Sequence, residues 1–511
     1  MANSTSDSLF ELIENLSKSE KRFFTMHASR HIIGEENNAL VLFDFISKMS
    51  VYDEEKIFKE FKGKAFLNKF SVTKYRLYQQ ILESLNIYHA KSSVSAELLN
   101  SLQSASILFS KSLYSQSNKI IQSVIKKADK YFLSQIKWQA LQLQRQQHEK
   151  HFYTDLSKNE FATLKNLESE VVNQMAIRTE LWHIKASLFK EIHAIGTIRS
   201  DEHVKSLHSV IAELSELDFN QFETENRYLY HQILAAFYFA VHDLVASYKH
   251  LVEIKTLYDN NQALFLKDKG KYLSVLTNLA YISIKTSELE LSEKYFMELE
   301  HLEKDFSKSL DLKVRYFSSY KSLKLFKFIE NGYSSYDEQE LKSITDGLEL
   351  YGDIINPVRK AYLYYQLGTF YLANNSLKLA LSYLNMVLND KQNLIKEDIY
   401  SFAQILQVIV HFELKNHNVL PYVLTNTKRF LKGKNRLYKF EMIFLKMIGK
   451  IRNEAISHLE LEDILIEYLP EIEALKQDKF ESIAFEYFDF GAWLESKIQR
   501  KSYLEAKKAS A

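Results

Sequence analysis

The sequence predicts an all-α protein, an α-solenoid of helical hairpins preceded by a small N-terminal helical domain. Three observations carry this. The 511 residues include only 11 Gly and 3 Pro, roughly a third or less of the usual share of about 7% and 5%. Tight β-turns draw heavily on those two residues, so a large β-sandwich or barrel is excluded. Apolar residues make up 46% and aromatic residues 13%, which excludes a disordered chain. Apolar positions also recur at one helical turn, in paired segments that repeat about every 35–46 residues, the length of two helices and two turns.

The elements follow in order. Residues 1–92 read as several short helices. Ser17 and Glu20 have capping-box spacing, and 34–38 is a loop signal. Leu40, Phe43, Ile46 and Met49 recur by one turn. Asp53 caps a helix carrying Ile57 and Phe61, with Gly63 to end it. Ser71 is set to cap the next helix, whose stripe is Tyr75, Tyr78, Ile81, Leu82, Leu85 and Tyr88. A Ser-rich stretch at 91–95 marks the boundary. From 95 to 511 the periodicity divides the chain near 95–131, 132–177, 179–218, 224–259, 270–305, 310–352, 358–390, 396–432 and 435–469. This amounts to about eight to ten hairpins. Capping boxes recur at Ser157/Glu160 and Ser287/Glu290. The last piece, ending KIQRKSYLEAKK, suits a polar C-terminal capping helix.

One window carries a family resemblance. Residues 361–390 read AYLYYQLGTFYLANNSLKLALSYLNMVLND. Tyr364, Leu367, Gly368 and Tyr371 match the first half of the tetratricopeptide pattern, with Tyr364 in place of Trp. Ala380 and Leu384 match the second half, and Pro357 lies near the preceding repeat's end. Small residues at Gly368 and Ala380 let the two helices touch. Weaker copies read Tyr230, Ile233, Leu234, Phe237, Ala246, His250 and Leu276, Leu279, Ala280, Ser283, Ser292, Phe296. The window thus resembles a tetratricopeptide repeat. The resemblance implies that the first helix of each pair lines a groove for a peptide or helix of another protein. Tyr228, His231 and Tyr238 would face it in one repeat, Thr277 and Tyr281 in another, and Tyr362, Tyr365 and Thr369 in the clearest. The alternative is that several of these tyrosines pack between repeats. Some members bind a terminal carboxylate through paired Lys and Asn. Asn278 has the place of one such Asn, but the accompanying cations are not recognisable, so that activity is not expected.

A search for chemistry finds no catalytic constellation. Cys is absent, which removes disulfides, Cys-bound metals and thiol nucleophiles. Neither a glycine-rich phosphate loop nor a GxSxG elbow occurs. His27/His31 and His148/His151 have spacings that a metal can use, but 16 histidines form such pairs by chance and no third ligand is local. Residues 56–79 are basic, with aromatics interleaved. They read as a helix surface, or as a helix-turn-helix-like element placing Lys69, Lys74 and Arg76 on nucleic acid. Residues 424–452 are strongly basic and 453–495 strongly acidic. These blocks either pair with each other or dock a partner. The net charge of +1 gives no global attraction to polyanions. The longest apolar run, 233–241, is too short to cross a bilayer, and the N-terminus has no signal-peptide pattern. The expectation is a cytoplasmic, non-enzymatic scaffold or adaptor for a protein or peptide, with no cofactor, no metal and no membrane. The alternative is a peptide-sensing bacterial regulator whose N-terminal domain contacts DNA or a protein target.

Overall fold

The computed structural model describes residues 5–29, 37–307, 309–330, 338–389, 397–451 and 458–510. Among these residues the chain is all-helical, with no strand. The 34–38 loop signal, His31 and Arg452 lie wholly or partly outside the described residues. The chain forms two compact units, Met1–Val172 and Asn173–Ala511.

The first unit begins with α1 (Thr5–Asn15), α2 (Lys18–Ser29), α3 (Asn38–Ile46), α4 (Glu54–Glu60) and α5 (Phe70–Tyr88). Their apolar faces share one core that includes Leu9, Phe24, Phe43, Ile57, Leu77 and Ile81. A second core joins α6 (Val94–Ser110), α7 (Tyr114–Lys130) and α8 (Ser134–Lys150) through Leu98, Ala105, Ile121 and Ala140. Local chemistry starts these helices where the sequence places it. Ser17 and Glu20 exchange the two bonds of a capping box, at 2.7 and 3.3 Å. The Asp53 carboxylate accepts from Lys56 N at 3.1 Å, and Ser93 Oγ from Ala96 N at 3.1 Å. Ser71 does not cap α5. The helix begins at Phe70 after Lys69, which offers no side-chain cap, because a 3-10 turn at Ala65–Lys69 already directs the chain into it.

Helix α9 (Lys158–Ile195) starts on the Ser157/Glu160 capping box. It runs unbroken through the break expected between 177 and 179, since it contains neither Gly nor Pro. The second unit continues with α10 (Asp201–Ala212), α11 (Thr224–Ala240), α12 (Leu244–Asp259), α13 (Gln262–Lys267), α14 (Lys269–Lys285) and α15 (Leu289–Phe306). Then come α16 (Leu310–Glu330), α17 (Glu338–Tyr351), α18 (Pro357–Ala373), α19 (Leu377–Leu388), α20 (Glu397–Glu413) and α21 (Leu420–Gly433). The chain ends with α22 (Lys439–Ile451), α23 (His458–Leu475), α24 (Phe490–Ile498) and α25 (Tyr503–Ser510). Helix α14 packs on α16, α16 on α18, and α18 on α20, while α11, α14 and α18 each also pack on the next helix in sequence. Pro357 occupies the first turn of α18, whose start is capped by Asn356. The C-terminal piece is two helices rather than one, because Arg500 takes a left-handed conformation between them.

One turn recurs. Ser112, Phe132, His242, Ser287, Asn375, Lys415, Asn435 and Arg500 all have φ between 53° and 65°. In each case the next residue donates its N–H to the carbonyl five positions back, at 2.8–3.0 Å. This is the Schellman closure of a helix end, made here without glycine. It also explains why Ser287/Glu290 is not a capping box: Ser287 ends α14, and α15 starts after Glu288 with no side-chain cap.

In four hairpins a small residue seven positions before the turn stands twelve before a second small residue. The pairs are Ala105/Ser117, Ala235/Ser247, Ala280/Ser292 and Gly368/Ala380. Ser117 Oγ donates to Ala105 O at 2.8 Å, and Ser247 Oγ to Ala235 O at 2.9 Å. A Cβ on Gly368 would stand 2.9 Å from Leu384 Cδ2 and 3.6 Å from Ala380 O. In the hairpin of α11 and α12 the small positions are therefore Ala235 and Ser247, one residue on from the expected Leu234 and Ala246.

A left-handed L-residue costs about 1–2 kcal/mol, while glycine adds unfolded-state entropy of its own. Ser112→Gly and Lys415→Gly, both at exposed turns, should each stabilise the protein by about 0.5–1 kcal/mol. Ser112→Val should destabilise it. Urea unfolding midpoints decide; a Val variant as stable as the parent would contradict the turn.

Candidate functional site

Between α23 and α24, residues 476–489 form turns and a short 3-10 stretch, Ser482–Glu486. This segment crosses the ends and faces of several helices of the second unit. Lys479 Nζ donates to Asp201 Oδ1 at 2.9 Å. Phe480 packs on the cluster of Leu181, Ile184, Leu188 and Phe237. The Tyr487 ring stacks on Phe402 with centroids 4.1 Å apart. Its hydroxyl lies 3.0 Å from Thr197 Oγ, and its carbonyl accepts from Tyr365 Oη at 3.0 Å. Glu486 lies 3.5 Å from His242 Nδ1. Burial pushes the Glu486 carboxyl up, but the hydrogen bond from His242 and the charge of Lys285 outweigh it and hold it below the usual range.

An ionic clasp fixes this segment. Arg199 is buried and bonds Glu441 at 2.9 Å and Glu481 at 2.6 Å, with its guanidinium 4.3 Å from the centre of the Tyr438 ring. Burial works against the charge on Arg199, but the two carboxylates outweigh it and keep it protonated. Glu481 also accepts from Phe440 N at 3.0 Å. Beside the clasp, Asp398 pairs with Arg436 and accepts from Thr197 N at 2.8 Å. Arg436 in turn donates to Ile195 O at 3.0 Å. The loop after α9 is thereby tied to the starts of α20 and α22.

The residues singled out in the sequence fall into separate places. Tyr281, Tyr362 and Tyr365 come together around Glu486 and Tyr487. Burial and then nearby acidic groups raise the hydroxyl pKa values of Tyr281 and Tyr362. Tyr365 and Thr369 are only 3% and 2% exposed, so both pack inside, and Thr369 bonds the carbonyl of Tyr365. Thr277 bonds its own helix at Leu273 O. His231 and Tyr238 meet His250 of α12 instead: the two Nδ1 atoms of His231 and His250 are 3.0 Å apart, and the Tyr238 ring stacks on His250. Tyr228 is buried against Tyr258. The residues not anticipated are His242, Lys285, Phe402, Glu486 and Tyr487. The one visible signal was the aromatic run EYFDF at 486–490 inside an acidic block.

In the first unit Lys74 is 6% exposed. Its ammonium bonds Glu54 at 3.0 Å and Tyr52 Oη at 3.3 Å and lies 4.8 Å from the centre of the Phe70 ring, so it serves the core. Lys69 and Arg76 are exposed. The connection from α4 to α5 is residues 61–69, longer than the three- or four-residue link of a helix-turn-helix. His148 bonds Asp155 at 2.7 Å, and no group of three or more His, Asp or Glu is placed to hold a metal among the described residues. Of the two charge blocks, Lys450 and Glu467 pair across α22 and α23 at 2.9 Å. Among the described residues no helix is long and apolar enough to cross a membrane. No family model, no curated protein and no solved structure matches the chain.

Removing one partner of a buried ion cluster leaves the others uncompensated, at a cost of about 3–5 kcal/mol. Arg199→Met should lower the urea midpoint accordingly, and adding Glu441→Gln and Glu481→Gln should recover part of the loss. Equal midpoints for parent and Arg199→Met would contradict the clasp. Burial, then His250 and Arg227, hold the His231 pKa down at about 4, and burial lowers His250 as well. The unfolded chain takes up these protons near the ordinary value of about 6.5. Stability should therefore be complete above about pH 6.5 and fall as pH drops toward about 4. His231→Gln should flatten that dependence of the melting temperature.

Proposed function

We propose that this chain is a protein-interaction scaffold: a tetratricopeptide-like array of helical hairpins that holds a peptide segment of another protein against its first helices. The observation that carries the reading is the way α18 and α20 already hold a segment of turns and 3-10 helix. Residues 476–489 are gripped by a stacked aromatic, a tyrosine hydroxyl on a main-chain carbonyl and a carboxylate between His242 and Lys285. A foreign segment would be recognised by the same kinds of contact. Rigid aromatic side chains give contact area at low entropic cost. The recurrent hairpin supports the repeat reading, since four pairs share one turn and small residues at fixed offsets, and three of the pairs meet directly. The half-buried Tyr281 and Tyr362, rather than the buried Tyr365 and Thr369, would meet the partner.

Affinity purification of the full chain from its native lysate, with quantitative mass spectrometry, tests this. A stoichiometric partner should co-purify, and Tyr281→Ala with Tyr362→Ala should reduce its recovery about tenfold while the helical circular dichroism is unchanged, as expected for aromatic hot spots. An identical partner set from parent and variant would sink the placement of the site.

A further inference from the structure

A line of cations runs along the second unit. Lys185 is on α9, Lys271 on α14, Arg315 on α16 and Arg359 on α18. The last three are spaced by 44 residues, one per hairpin, within the first two turns of their helices. They are neighbours in space. The Lys271 ammonium lies 5.3 Å from the centre of the Tyr228 ring, whose hydroxyl also feels Arg315. Arg359 Nη1 lies 3.5 Å from Arg315 O. Burial and then the charge of Lys271 depress Lys185, and burial and then Arg315 depress Arg359.

Their hydrogen bonds go largely to neutral groups. Lys185 donates to Gln232 Oε1 at 2.8 Å, Arg315 to Gly270 O at 3.0 Å, and Arg359 to Ser319 Oγ at 2.8 Å. The carboxylates close by are Asp268, 3.3 Å from Lys271, and Asp311, 3.8 Å from Arg315. Asp311 also acts on Arg359, but its side chain is 75% exposed. Lys185 and Arg359 have no ion pair among the described residues. Lys185 and Arg359, partly buried beside like charges and without an ion pair, are the costly members of the line. That cost is what an incoming anion would relieve.

We infer that this ladder is a docking line for an acidic segment of a partner protein, with side-chain carboxylates meeting successive first helices. The inference rests on the interaction reading above and names the partner's chemistry. Packed helices lie about 8–10 Å apart, and an extended chain advances about 3.3 Å per residue. The matching segment therefore carries Asp or Glu at about every third position. The line needs side-chain charge along the segment, so a free terminal carboxylate is not required.

Fluorescence anisotropy on the full chain tests this with a labelled peptide of about twelve residues, acetylated and amidated, bearing Glu at every third position. The Glu peptide should bind about tenfold or more tightly than its Gln counterpart, and more weakly as salt rises. Arg315→Gln with Arg359→Gln should lose that preference, as should Lys185→Gln with Lys271→Gln, at unchanged circular dichroism. The second pair keeps the test open if the first variant fails to fold. No binding at low salt, equal binding of Glu and Gln peptides, or binding unaffected by both variants overturns the ladder. Tighter binding of a single-stranded DNA of equal charge also overturns it, in favour of a nucleic acid. A native partner still captured by both ladder variants overturns the ladder and leaves the interaction reading standing. Failure of the parent chain to capture any partner, with the Glu peptide still bound, counts against the interaction reading alone.

Discussion

Two helices joined by a short turn can approach closely only where neither presents a bulky side chain at the crossing. The hairpins depend on this constraint. Ala105/Ser117, Ala235/Ser247, Ala280/Ser292 and Gly368/Ala380 meet it, each pair twelve residues apart and centred on the same left-handed turn. In two of them a serine hydroxyl bonds the facing carbonyl, which satisfies a polar group at a contact too tight for water. Large residues such as Leu384 then fill the space beside the contact. The turn closes the first helix by hydrogen bonds of its own backbone, so it tolerates Ser, Phe, His, Lys and Arg at modest cost. A chain with 11 glycines can therefore make many such turns.

The second unit adds a constraint of another kind. The Arg199 clasp, and the bonds that Asp398 and Arg436 make to Thr197 and Ile195, join residues more than two hundred positions apart. Such clusters are weak sources of net stability, because desolvation offsets most of the attraction. They are strict about arrangement, because each charge is tolerable only with its partners in place. Residues 476–489 are held to one course by them, and Phe480, Phe485, Tyr487 and Phe488 add apolar burial at both ends of that course.

The buried and half-buried cations of the second unit thus divide in two. Charges that meet opposite charges, at Arg199 and Arg436, organise the chain itself. Charges that meet mostly like charges and neutral acceptors, from Lys185 to Arg359, do not improve the fold. Lys271, Arg315 and Arg359 recur at 44 residues, each near the start of one of three helices that pack in succession.

Helical class, the positions of most helices and several caps were legible in the sequence, because they depend on contacts within one or two turns. Apolar spacing, the Ser17/Glu20 box and the Asp53 cap act locally and were read from a few residues. The length of α9 was misread because its sequence carries no clear start or stop signal near 177. Ser287 was misread because Ser suits both a helix start and a left-handed helix end. The candidate face was only partly legible. Tyr281, Tyr362 and Tyr365 were singled out as groove-facing, and the structure brings them together around Glu486 and Tyr487; nothing local shows that Tyr365 is buried or that Lys74 belongs to Glu54. Sequence periodicity alone determined that the described residues of this protein are all-helical and placed the small-residue pair Gly368/Ala380. Tertiary structure alone decided which charges find partners and which tyrosines are fully buried, because those outcomes depend on contacts between segments from 20 to more than 200 residues apart.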